Sequence, residues 1–155
     1  MNISLILRRT AAAALVSSIA ACTAMDDMGD MGGKGPNVSG HWDKIGTTSN
    51  GNIKAFIDRN SIQKNGNLVT FRDKKTVQKP NEERYVNTPR YKTAIGTWEM
   101  HCVNKTYRLT ELQLIDEKGM LLVNETYTAA GLRPLSVMSG SITEKQFEAV
   151  CDKKL

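Results

Sequence analysis

Histidine and cysteine are scarce in this chain, with two of the first and three of the second among 155 residues. A histidine-rich metal cluster and a serine or cysteine nucleophile served by a histidine and a carboxylate therefore both lack material. No glycine-rich phosphate loop occurs, and no apolar run approaches the roughly 20 residues that a helix needs to cross a bilayer. A helical receptor, channel or transporter is thereby excluded. The adjacent acids Glu82-Glu83 and Asp116-Glu117 fall in turn-like stretches where their charge is solvated, so paired-carboxylate hydrolysis is not expected from them. What is present, 40% apolar and 24% charged residues, is the composition of one modest globular domain. The expectation is a small binding or structural protein rather than an enzyme, with no cofactor and no metal site.

Residues 1–21 carry Arg8 and Arg9, then an uncharged, alanine-rich stretch, and no acid, which is the pattern of an export signal. The segment closes on Ile19-Ala20-Ala21-Cys22, similar to a bacterial lipobox, in which the cysteine thiol accepts diacylglycerol and becomes the first mature residue. Two or three acyl chains at Cys22 hold a protein on a membrane without spanning it, at about 0.8 kcal/mol per buried methylene. Thr23 follows the cysteine, and not an inner-membrane-retaining aspartate, so the outer membrane is the expected address. Residues 22–39 are rich in glycine, methionine and aspartate and read as a flexible tether. Met25, Met28 and Met31 have no accompanying histidine to make a copper site. Removing the signal lowers the net charge from +5 to +3, since two arginines and no acids leave.

From residue 40 to 155 the pattern becomes short runs of β-branched and aromatic residues broken by turn dipeptides. Strands are expected at His41 to Ile45, Ile53 to Asp58, Leu68 to Val77, Tyr91 to Val103, Lys105 to Ile115 and Met120 to Tyr127. Asn50-Gly51, Asn65-Gly66 and Glu117-Lys118-Gly119 mark turns between them. The spacing predicts a meander with Ala94, Gly96, Trp98, Met100 and Cys102 facing the core. The apolar phase slips between Leu109 and Leu112, which marks a bulge or a strand buried on both sides. Ser141 and Glu144 have capping-box spacing, and Phe147, Val150 and Cys151 then share one side of a terminal helix. The expected fold class is α+β: an antiparallel meander of about six strands packed against a C-terminal helix, with one disulfide.

Cys102 on the core side of a strand and Cys151 on the helix stripe are the cysteines left once Cys22 is acylated. In an oxidising compartment they are expected to pair, closing a loop worth about 4 kcal/mol in chain entropy. Two buried free thiols, or a zinc pair with His101, are the alternatives; zinc wants four ligands, and on a regular strand His101 points away from Cys102.

Between Arg72 and Lys92 seven cations face three acids, a local excess larger than that of the whole mature chain. Pro80 and Pro89 interrupt this run, so its middle reads as a mobile loop. Lys74, Lys75, Lys79, Arg84, Arg90 and Lys92, with Tyr85 and Tyr91 interleaved, are the candidate ligand-binding residues for an acidic partner. Lysines carried simply for solubility are the plainer reading. Nucleic acid is not the expected partner, because of the compartment.

Trp42, the Ile57-Asp58-x-x-Ser61-Ile62 turn, the long strand ending at Cys102 and the closing Val150-Cys151 together resemble the surface-adhesin protein E family. The resemblance covers about His41 to Cys151. It implies a lipid-anchored or exported Gram-negative protein, an antiparallel sheet against a C-terminal helix, and a bridged cysteine pair. It also implies adhesion to host cells, vitronectin and laminin as partners, and a homodimer; acidic glycans follow from the charge. None of these motif residues transfers as a ligand contact: Trp42 is expected to fill core, and Asp58 and Ser61 to organise a turn. The alternative function is a periplasm-facing envelope accessory or an inhibitor of lysozyme, although a basic loop suits a basic enzyme poorly.

Overall fold

The structure, a computed structural model, describes residues 35–155. The export signal 1–21, the acylated Cys22, Met25, Met28 and Met31, and the tether as far as residue 34 lie outside the described residues.

Six strands form the expected meander: β1 (Trp42–Thr47), β2 (Ile53–Asn65), β3 (Leu68–Val77), β4 (Thr93–His101), β5 (Thr106–Ile115) and β6 (Leu121–Thr126). Each is antiparallel to its neighbour and they lie side by side in chain order. A two-residue strand, β7 (Leu135–Ser136), adds to the free side of β5 at Thr106 and Tyr107. The helix α1 (Ile142–Cys151) closes the chain.

Two strands are irregular, one where the apolar pattern marked it and one where it did not. Thr97 pairs with Glu111 while Trp98 pairs with Leu109, so Thr110 is an extra residue, and this is the bulge expected from the phase slip in β5. Strand β2 runs longer than the expected Ile53 to Asp58 because its pairing with β3 resumes after an interruption, from Asp58 to Gln63. The Asp58 and Ser61 side chains shape that interruption. Ser61 Oγ donates to the Asp58 carbonyl (2.7 Å) and accepts from the Arg72 amide (2.8 Å), while Asp58 Oδ1 accepts from the Asn60 and His41 amides. Side chains thus supply partners the ladder cannot.

Helix α1 begins where the capping box put it: Ser141 Oγ accepts from the Glu144 amide (3.2 Å), and Glu144 returns to the Gly140 amide (2.7 Å). It packs on β1, β2 and β3. Its Phe147 and Val150 are fully buried with Ile57, Val69, Phe71 and Met100 in one core, each such side chain contributing about 1.5–3 kcal/mol. Cys102 and Cys151 are bonded, with Cα atoms 5.6 Å apart. The bond answers the free-thiol and zinc alternatives, and His101 Nδ1 instead accepts from the Asn104 amide.

The helix face also encloses polar groups. Asp73, 1% exposed, is ion-paired with Lys75 and accepts from Trp98 Nε1 (2.8 Å) and Gln146 Nε2 (2.7 Å). Gly96 is the strand residue facing this cluster. A Cβ there would lie 2.6 Å from Trp98 Nε1 and 2.9 Å from Asp73 Oδ1, so the approach of carboxylate and indole requires glycine.

Candidate functional site

In a strand, side chains alternate between faces, so the cations of β3 divide. Lys75 goes to the helix face, where Asp73 holds it and its ammonium lies 5.1 Å from the Trp98 ring centre. Lys74 goes to the opposite face, which no helix covers. There it pairs across the ladder with Phe56, which pairs in turn with Lys44, and Lys54 lies two residues along β2.

This open face is the candidate site. The Lys74 ammonium sits 4.6 Å from the Trp42 ring centre and 5.0 Å from that of Phe56, a position over two aromatic rings that favours a cation. Burial among these rings pushes the Lys74 pKa down from its ordinary 10.5. Among the described residues, Lys44, Lys54 and Lys74 make no ion pair, while ten pairs form elsewhere. Arg72, next along this face, pairs with the buried Asp58 (3.2 Å).

The other residues singled out by charge do not converge. Lys79 pairs with Glu82 (3.0 Å), Arg90 pairs with Glu117 (3.1 Å), and Lys92 Nζ donates to the Gln78 carbonyl (2.9 Å). Arg84 is exposed and makes no ion pair among the described residues. Tyr85 and Tyr91 do meet, ring centres 5.1 Å apart and edge to face, with the Tyr85 hydroxyl donating to the Tyr91 carbonyl (2.8 Å). Burial raises the pKa of both, and Tyr91 is raised further by Tyr85, Glu83 and Asp73. The connection that carries them is pinned: the Asn52 amide group accepts from the Lys79 amide (2.8 Å) and donates to Glu83 (2.8 Å), and Pro80–Glu82 forms a 3₁₀ turn.

Lys44 and Lys54 lie outside the basic run from Arg72 to Lys92, so charge density along the chain does not mark them. The signal that finds them is the two-residue period. With Ala55 and Ile57 assigned inward, Lys54, Phe56 and Asp58 point outward, and the same test on β3 sends Arg72 and Lys74 to that side. The open face also holds a groove of about 220 Å³ over β3 to β6, with Ile95 in its lining and Thr97, Glu111, Gln113 and Asn124 among its polar groups. Among the described residues no three histidine, cysteine or carboxylate side chains converge on one point.

The model of a protein family described as surface-adhesin protein E matches residues 42–152. Among solved structures, crystal form II of Haemophilus influenzae protein E is similar with a TM-score of 0.48 and 14% identity, over 70% of this chain and 87% of that one. The search of curated proteins produced no match.

Proposed function

Because the chain belongs to the surface-adhesin protein E family, we propose that it is a lipid-anchored protein of the outer membrane, displayed on the cell surface, that binds negatively charged host ligands through the open face of its sheet. The ligands are matrix proteins such as vitronectin and laminin, or acidic glycans. The observation that carries this reading is the set of three lysines, Lys44, Lys54 and Lys74, left without acidic partners among the described residues around the Phe56 and Trp42 rings. Lysines gathered on one uncovered surface raise the local concentration of an acidic partner and steer its approach. Lys75 lies outside that field, committed to Asp73. Acylation of Cys22 supplies the anchor and residues 22–34 the reach.

Binding of immobilised heparin and of vitronectin to the triple variant Lys44→Glu, Lys54→Glu and Lys74→Glu tests the face. The expected result is a loss of about tenfold or more in affinity with a cooperative unfolding transition retained and only a small fall in melting temperature. Full binding by a folded triple variant would remove the face from consideration. Intact-mass spectrometry of protein extracted from its native host tests the anchor, and an unacylated chain retaining its first 21 residues would overturn it.

A further inference from the structure

The residues immediately before β1 are held against the open face by side chains from three strands. The Asn37 amide donates to Gln113 Oε1 on β5 (3.0 Å). The Asn37 and Ser39 carbonyls accept from Arg72 Nη2 (2.7 Å) and Nη1 (3.0 Å) on β3, and the Val38 carbonyl accepts from Trp42 Nε1 on β1 (3.0 Å). Gly40 completes the fit, since a Cβ there would lie 2.7 Å from Asp58 Oδ2 and 2.9 Å from the Trp42 ring. This strap takes two of the hydrogen-bonding directions of the Arg72 guanidinium, which has five N–H donors, and Asn37 forms part of the lining of the groove. Inside that groove, Glu111 Oε2 is engaged by Thr97 Oγ1 (2.8 Å) and Asn124 Oδ1 by Gln113 Nε2 (3.2 Å). Glu111 Oε1 and the Asn124 amide nitrogen have no partner among the described residues.

We infer that the Asn37–Gly40 strap is an internal occupant of the binding face: its carbonyls stand on Arg72 where a sulfate of an acidic glycan would, and its release would add Arg72 to the three lysines and open the groove to sugar hydroxyls. The inference rests on the reading of the open face as the docking surface. It deepens that reading by naming a sulfated glycan as the ligand class. The strap's carbonyls are neutral acceptors, so a sulfate oxygen makes a stronger, charge-assisted bond to the same guanidinium. A glycan also carries hydroxyls that can donate to the free carboxylate oxygen of Glu111 and accept from the Asn124 amide, two bonds that an inorganic anion does not provide together.

The test uses the full mature chain and a sulfated heparin oligosaccharide. Trp42→Phe combined with Gln113→Ala removes two of the strap's holds while keeping a ring under Lys74. Hydrogen exchange at the Asn37 amide should speed up, and affinity for the oligosaccharide should rise by about three- to tenfold, the factor expected when a site mostly closed in the parent is left open. Adding Arg72→Ala should cancel the gain. Gly40→Ala, whose methyl has no room, should produce the same pair of effects. An opened strap with unchanged or weaker binding overturns the inference, and so does a strap that stays protected in both variants. Loss of binding in the lysine triple variant, together with no gain on opening the strap, would sink the strap alone. Unaltered binding in the triple variant would sink the reading of the face beneath it.

Discussion

The two faces of this sheet use charge in opposite ways. On the helix face, the buried carboxylate of Asp73 is met by an ammonium, an indole N–H and an amide, and the lysine that meets it is committed there. On the open face, Lys74 stands over the Trp42 and Phe56 rings, Lys44 and Lys54 flank Phe56, and among the described residues none of the three meets a carboxylate. Lys74 and Lys75 are consecutive in sequence and serve different ends. A buried charge left without its partner costs several kcal/mol, whereas an exposed one costs little, so structure dictates pairing at Asp73, as it does at Asp58 with Arg72, and makes no such demand of the three lysines.

The contrast can be broken at several points. The largest effect is expected from the staple that ties α1 to the sheet. Replacing Cys102 and Cys151 by serine should lower the unfolding free energy by about 4 kcal/mol, read from urea titration, because the bridge closes a long loop. Lys75→Glu comes next. It sets a second carboxylate against Asp73 and should cost about 3 kcal/mol, while Lys74→Glu, which loses only cation–ring contacts, should cost about 1 kcal/mol or less and weaken heparin binding. Equal destabilisation by the two changes would erase the distinction between the faces. Ser141→Ala removes the hydroxyl that caps α1 and should cost about 1 kcal/mol by the same titration.

The smallest effect concerns Tyr91. Burial raises its folded-state pKa above the ordinary 10.0, so the folded protein holds this proton more tightly than the unfolded chain. The stability this supplies is fully present below the ordinary value and is lost as pH climbs through the raised one. Between about pH 9 and 11, the fall in stability should therefore be shallower for Tyr91→Phe than for the parent. The Tyr85 hydroxyl bond is kept in that variant, because its acceptor is the backbone carbonyl of residue 91.

Much of the fold could be read in advance from local patterns. The strand order follows from turn dipeptides, the bulge at Thr110 from a slip in apolar phase, and the helix start from the Ser141 and Glu144 spacing. The family was visible in Trp42, the Asp58 to Ser61 turn and the last cysteine, and the match over residues 42–152 shows it. The site was harder to read. A basic run was evident between Arg72 and Lys92, but strand alternation sends its members to opposite faces and local acids take up Lys79 and Arg90. Lys44 and Lys54 join Lys74 only through the register of β1 on β2 and β2 on β3.

By itself, then, the sequence determined the class of fold, the order of its strands, the capped helix and the cysteines available to join them, because turns, caps and periodicity are local and act within a few residues. Tertiary structure alone decided which lysines find no acid among the described residues, that residues 37–40 lie strapped to the sheet by Arg72, and that Asp73 is buried with three donors. Those outcomes depend on residues far apart in the chain being brought within hydrogen-bonding distance, and nothing in their separate neighbourhoods encodes the meeting.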